Sequence, residues 1–226
     1  MGSIKNILAV GDSFTYGQEL ADREKNAWPF VLGGMIGADV VNLGQPGTSN
    51  RFIVTEVVKH VSNAPIRPDL VVLGWTSPGR VSFGDLHGVF DVWPGQDRFS
   101  NQENWRNGLL DWLNKHHNDE WLYDNFILDL ALITNFLENK QIKYCMMIIN
   151  GSDYYHSKYW YNIDDKIKEV LPKINDNWLE FPKFGMMQWA LESKSKFGPG
   201  GHFLEKGHQV VAGKVYEHIR NKQWVS

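Results

Sequence analysis

The 226-residue sequence predicts an α/β fold: a three-layer, flavodoxin-like sandwich around a central parallel sheet, with long loop or helical insertions. Three observations lead there. Continuous apolar runs of β type occur at Ile4–Val10, Leu70–Gly74 and Ile142–Ile149, the pattern of strands covered on both faces. Helical patterns alternate with them, as right-handed crossovers between parallel strands require. The first run stops at Gly11 and delivers Ser13 into a tight turn, at the strand end where open parallel sheets bind ligands.

The elements follow in order. After the first strand, Trp28–Ile36 carries apolar residues at helical spacing behind Pro29, a good first-turn residue. A short strand is expected at Asp39–Leu43. Arg51–Val61 sets Phe52, Ile53, Val57, Val58 and Val61 on one side, with Thr48, Ser49 and Asn50 as potential caps. The third strand is Leu70–Gly74. Tyr123–Leu137 is a longer amphipathic pattern before the fourth strand, and Gly207–Ile219 closes the chain with Val210, Val211, Val215 and Ile219 as its stripe. Residues 82–120 and 151–200 resist this scheme. Segments of that length without periodicity are usually functional loops or lids. One domain spanning 1–226 is therefore expected, with both regions as candidate lid or substrate insertions.

Composition narrows the function. With 42% hydrophobic and 22% charged residues the chain can bury a substantial core. Its net charge is −3 with no basic stripe, so nucleic acid is not an expected partner. The single Cys145 lies in an apolar run, reads as a buried structural thiol, and excludes an intramolecular disulfide or a cysteine zinc site. No run approaches membrane-spanning length. The first strand begins near residue 4, leaving no room for a signal peptide, and Asn6 stands where myristoylation needs Ser or Thr. A cytoplasmic or otherwise intracellular protein is the plain reading, although a mature secreted chain would look the same. Ten Trp, eight Tyr and twelve Phe are many. Trp93, Trp105, Trp112, Trp121, Trp160, Trp178 and Trp189 fall outside the strands, where packing or stacking against a ligand are the two uses.

Serine is a poor nucleophile until a base, usually histidine, takes its proton. Eight histidines compete. His60, His116 and His117 read as surface residues, and His218 as the solvated side of the last helix. His87 and His156 lie in loops. His202 differs, because it follows Gly198-Pro199-Gly200-Gly201 at the entrance to the closing helix. Such a turn can hold a side chain over the carboxyl edge of the sheet.

Four blocks in order then carry a resemblance. Gly11-Asp12-Ser13-Phe14-Thr15-Tyr16-Gly17 resembles the first block of the SGNH (GDSL) hydrolases, Gly-Asp-Ser-x-Thr-x-Gly. Val41-Asn42-Leu43-Gly44-Gln45-Pro46-Gly47 resembles the second, with Gly47 at the oxyanion-hole glycine. Gly74-Trp75-Thr76-Ser77 occupies the third, normally Gly-x-Asn-Asp, and Gly201-His202 through Gly207-His208 resembles the last. The spelling is most similar to phage and bacterial members.

The resemblance implies a serine esterase with no metal or organic cofactor. Ser13 would be the nucleophile and His202 the base; the N–H groups of Ser13 and Gly47, with Thr76, would form the oxyanion hole. The substrate would be a small acyl ester, with an O-acetylated carbohydrate or glycan as the leading class. Two departures stand out. Thr76 replaces an amide donor, and a lost donor costs on the order of 10²–10³ in rate; Ser77 is an alternative. Pro199 stands where the family has the aspartate that orients the histidine, a loss worth about 10⁴ in a working triad. A main-chain carbonyl, Asp153 or Glu205 could take over that role. Asp12 reads as structural, shaping its turn. Arg80 reads as pairing with a carboxylate or meeting an anionic substrate. The competing reading is a non-catalytic module that binds glycan through its aromatic loops. A nucleotide-binding flavodoxin-like protein is disfavoured, since the first loop lacks the phosphate-cradling glycine spacing.

Overall fold

The computed structural model describes residues 4–85, 88–93, 104–116, 118–151, 165–169 and 174–225. His87, His117, Asp153, His156 and Trp160 lie outside the described residues. Strands β1 (Asn6–Gly11), β2 (Asp39–Asn42), β3 (Leu70–Trp75) and β6 (Lys143–Ile148) form a parallel sheet in the order β2-β1-β3-β6. The remaining strands, β4 (Val81–Asp85) and β5 (Gly88–Val92), pair antiparallel as a separate hairpin.

Alternation of side chains divides the core into two layers. Leu8 and Val10 of β1, Val71 and Leu73 of β3, and Met146 and Ile148 of β6 meet one set of partners. These come from helices α4 (Asn50–Asn63) and α6 (Asp119–Asn139), including Ile53, Val57, Leu130 and Ile133. The intervening residues Ile7, Ala9, Leu70, Val72, Cys145 and Met147 face the other layer. There they pack on α3 (Trp28–Ile36), α7 (Met186–Glu192) and α8 (Glu205–Asn221). Short helices α1 (Ser13–Tyr16) and α2 (Arg23–Asn26) lie between β1 and α3, and α5 (Asn104–His116) precedes α6. The edge of β6 is covered where Leu179 N–H donates to the Met146 carbonyl at 2.8 Å, which blunts an open strand edge.

The expected strands and helices are all present, with ends shifted by up to four residues. The two unpatterned regions are not bare loops in their described parts. They hold the β4–β5 hairpin, α5, a short 3₁₀ turn at Ile174–Asn177 and α7. The hairpin escapes pattern reading because Val81-Ser82-Phe83-Gly84-Asp85 is too short and mixed to stand out. Cys145 is fully buried, and burial pushes its thiol up to about 12, as an inert structural cysteine requires. Of the non-strand tryptophans, Trp178 and Trp189 are core residues, whereas Trp105, Trp112 and Trp121 are exposed. Among the described residues no helix is long and apolar enough to cross a membrane.

Candidate active site

The sheet order places β1 between β2 and β3, so the chain leaves its carboxyl end toward one side and later returns on the other. That is a topological switch point, where the crevice of an open α/β sheet forms. Ser13 stands two residues beyond the end of β1. Asp12 caps α1, its Oδ1 accepting from the Phe14 N–H at 3.0 Å, and Gly17 closes the turn in the left-handed region at φ 84°. The helix lies hard against the strand ends: a Cβ on Gly11 would sit 2.1 Å from Thr15 Oγ1. Asn42 at the end of β2 fastens the same turn, donating from Nδ2 to the Thr15 carbonyl at 2.8 Å while accepting from the Gly44 N–H at 2.9 Å. Ser13 is consequently held almost buried, at 5% exposure, in a turn fastened from both β1 and β2.

His202 arrives from the other end of the chain on a tight loop. Phe197 and Phe203 pair across its base, the Gly198 N–H donates to the His202 carbonyl at 2.8 Å, and Gly201 turns the chain at φ 83°. Phe203 is fully buried, 5.1 Å from Phe14 between ring centroids, and anchors the loop beside the α1 turn. The imidazole lies 4.8 Å from the Phe14 ring, centroid to centroid, so it stands next to the residue that follows Ser13.

The carboxylate that meets His202 is Glu19. Its Oε2 lies 2.9 Å from His202 Nδ1 and also accepts the His202 N–H at 3.1 Å; Oε1 accepts the Gly200 N–H at 2.7 Å. The Gly200 N–H foremost, then the N–H and ring of His202, holds the Glu19 carboxyl below its ordinary value despite opposing desolvation. Glu19 itself occupies the left-handed region at φ 69°. That conformation is uncommon for a residue with a Cβ and is the kind of strain that clusters at functional sites. The facing glycines make room: a Cβ on Gly198 would lie 2.7 Å from the Glu19 carboxyl carbon. Sequence reading missed Glu19. Glu205 is exposed in the first turn of α8, and Pro199 is exposed on the loop.

Asp12 is fully buried and accepts three hydrogen bonds: Phe14 N–H, Thr76 Oγ1 at 3.1 Å and Arg80 Nη1 at 3.1 Å. Burial raises its carboxyl above the ordinary value, with Arg80 the main opposing influence. Thr76 is pinned by a reciprocal pair with Asn50, N–H to Oδ1 at 3.0 Å and Nδ2 to carbonyl at 3.1 Å. Its hydroxyl hydrogen is directed to Asp12. The Ser77 side chain accepts from the Gly79 N–H at 3.3 Å and is exposed. Gly47 holds φ 77° with open space where a Cβ would stand.

Next to Thr76 and Asp12, reached through Asn50 and Arg80 and lined by none of Ser13, His202, Glu19 or Gly47, is a cavity of about 260 Å³ between α4, the hairpin and α6. Trp121, Phe126, Asn125, Arg80, Arg51 and Asp129 are on its wall. Asp129 is buried and pairs with Arg51, Nε to Oδ1 at 2.6 Å. No cluster of three or more potential metal ligands exists among the described residues.

No family model and no curated protein sequence matches the chain. Solved structures do. A member of the lipolytic G-D-S-L family from Veillonella parvula superposes with a TM-score of 0.54 at 15% identity, over 94% of this chain and 97% of that one. The psychrotrophic esterase EstA from a Pseudoalteromonas species gives 0.57 at 13% identity, over 97% and 98%. A mutant of Axe2, an acetyl-xylooligosaccharide esterase from Geobacillus, gives 0.52 at 16% identity, over 100% and 98%. The chain has the SGNH hydrolase fold.

Within this SGNH fold three of the blocks follow the carboxyl ends of β1, β2 and β3, and the last is brought to the first by His202 and Phe203 lying against Phe14. His208, in the last block, faces inward: it is buried, and its Nδ1 accepts the Trp28 N–H at 3.2 Å. Of the competing histidines, His116 is exposed and His60 sits in the last turn of α4. His218, expected on the solvated side of its helix, is instead partly buried against Trp224. No signal in the local sequence marks Glu19 as the partner of a histidine 183 residues away. The only trace is an acidic residue just past the left-handed Gly17, facing a Gly-Pro-Gly-Gly turn that leaves room for a carboxylate.

Proposed function

We propose that this protein is a serine ester hydrolase in which Ser13 is the nucleophile, His202 the base and Glu19 the group that orients it. The observation that carries this reading is the 2.9 Å contact between Glu19 Oε2 and His202 Nδ1. A carboxylate accepting from Nδ1–H leaves the proton off Nε2, the tautomer that a general base needs, and it stabilises the imidazolium that forms. Pro199 therefore does not leave the site without an acid. The role passes to a residue on the nucleophile's own loop.

The steps follow. Ser13 Oγ attacks the ester carbonyl as its proton passes to His202 Nε2. The oxyanion is held by the N–H groups of Ser13 and Gly47, and Thr76 adds no donor while its hydroxyl serves Asp12. The alkoxide leaves with the proton from His202, forming an acyl-serine. Water then gives its proton to His202, attacks the acyl carbon, and the acid departs as Ser13 recovers its proton.

An O-acetylated carbohydrate is the substrate class that the surroundings favour. Both cations on the cavity wall are already paired, Arg51 with Asp129 and Arg80 with Asp12. The cavity is thus close to neutral and offers donors, acceptors and the half-exposed face of Trp121, which suit a polyol ring better than an anion. The acetyl-xylooligosaccharide esterase among the similar folds agrees with this reading.

The test is reaction with a fluorophosphonate together with hydrolysis of p-nitrophenyl acetate. The wild type is expected to label once, at Ser13, and to turn over the ester; Ser13→Ala and His202→Ala are expected to do neither. A wild type that neither labels nor turns over ester overturns the proposal.

A further inference from the structure

The geometry points to Arg80 as a positioning residue that sets the spacing of the two backbone donors of the oxyanion hole. This rests on the esterase reading above and concerns a residue that touches neither nucleophile nor base.

One nitrogen makes the link. Arg80 Nη1 donates to Asp12 Oδ2 at 3.1 Å and to the Thr48 carbonyl at 3.2 Å. Asp12 immediately precedes Ser13, and Thr48 immediately follows Gly47. The two peptide groups whose N–H donors form the hole are therefore each one residue from an acceptor on the same guanidinium nitrogen. A donor pair helps only when both point at the developing oxyanion, and a displacement of about 1 Å can cost on the order of 10² in rate.

The surroundings fit a clamp rather than simple charge compensation. Neutralising Asp12 would need one contact, whereas Nη1 spans two segments that belong to different strand ends. Arg80 is itself fixed. Its backbone N–H donates to the Ser77 carbonyl at 3.1 Å, and its guanidinium lies 4.9 Å from the Trp93 ring centroid. The oxyanion loop is tied to the hairpin a second time, where the hydroxyls of Ser49 and Ser82 meet and Ser82 donates to Asp91 at 2.5 Å. Arg80 also lies on the cavity wall, so what occupies that cavity touches the residue that spaces the hole.

The experiment compares Arg80→Met, Arg80→Lys and wild type on p-nitrophenyl acetate, with circular dichroism as the check on folding. Met keeps the stem and loses both hydrogen bonds. A lysine ammonium can still donate twice from one nitrogen. The expected result is a kcat for Arg80→Met lower by about 10- to 100-fold with KM within about twofold. Arg80→Lys is expected to retain clearly more kcat than Arg80→Met, a recovery that a merely structural role would not produce. Should Arg80→Met fail to fold, Arg80→Gln, able to reach one acceptor at a time, is expected to show an intermediate loss of kcat. A folded Arg80→Met (or Arg80→Gln in its place) at wild-type kcat, or Arg80→Lys falling as far as Arg80→Met, overturns the clamp alone. A wild type without labelling or turnover overturns the esterase reading, and this inference with it.

Discussion

Glu19 carries more than one duty at the residue scale. Its carboxylate gathers the Gly200 N–H, the His202 N–H and the His202 ring, so the same group shapes the loop and, in the mechanism proposed above, aims the base. Because its folded pKa is lowered, its stabilising contribution is complete above the ordinary carboxylate value and is lost as pH falls through the depressed one. The loop should therefore stay closed through neutral pH and loosen only in acid. The glycines opposite are part of the arrangement. Gly198→Ala would bring a Cβ to 2.7 Å from the Glu19 carboxyl carbon. We expect it to lower kcat/KM while leaving the thermal midpoint within a few degrees of wild type, read by ester hydrolysis and by a melting curve. An unchanged kcat/KM would mean that the carboxylate can move without consequence.

At the scale of elements, stability rests on how helices meet the sheet and each other. His208 on α8 accepts the Trp28 N–H, one of the donors that the first turn of α3 cannot satisfy internally. Burial, and secondarily His202, lowers His208 to about 3. A base whose folded pKa is depressed favours folding while neutral. Its contribution is present above about 6.5, the unfolded value, and is lost progressively as pH falls toward about 3. Urea denaturation should then show the wild type losing stability from pH 7 to pH 4. His208→Gln, which keeps an acceptor but has no titrating proton, should flatten that slope. Leu73, fully buried on β3 against the α4–α6 layer, gives a second check. Leu73→Ala is expected to cost about 2–5 kcal/mol in the same experiment. These elements were legible in the sequence because each shows its period over several residues. The hairpin and α5 were not: Val81–Asp85 is only five residues long and is interrupted by Gly84, and α5 has Asn104, Asn107 and Gly108 among its first five residues.

The whole molecule explains what sequence reading could and could not reach. Ser13, Gly47 and Thr76 follow the ends of β1, β2 and β3 and His202 precedes α8, so chain order and local motif were enough to single each of them out as a candidate. Glu19 has no such motif. Its role arises only when the first and last segments of the chain are folded against one another, with Phe203 seated on Phe14. The same holds for Arg80, whose two acceptors lie 68 and 32 residues away. Pairwise contacts of this range depend on tertiary geometry, which periodicity and turn chemistry do not encode. The mechanism proposed above turns on a carboxylate of the nucleophile loop restoring the acid that Pro199 lacks. The most direct measurement is the pH profile of kcat/KM for p-nitrophenyl acetate in wild type, Glu19→Gln and Glu19→Asp. Glu19→Gln is expected to lower kcat by about 10²–10⁴ with KM little changed and to displace the acid limb to lower pH. Partial recovery is expected in Glu19→Asp. A Glu19→Gln enzyme that matches the wild type across the profile, while His202→Ala is inactive, would contradict that mechanism.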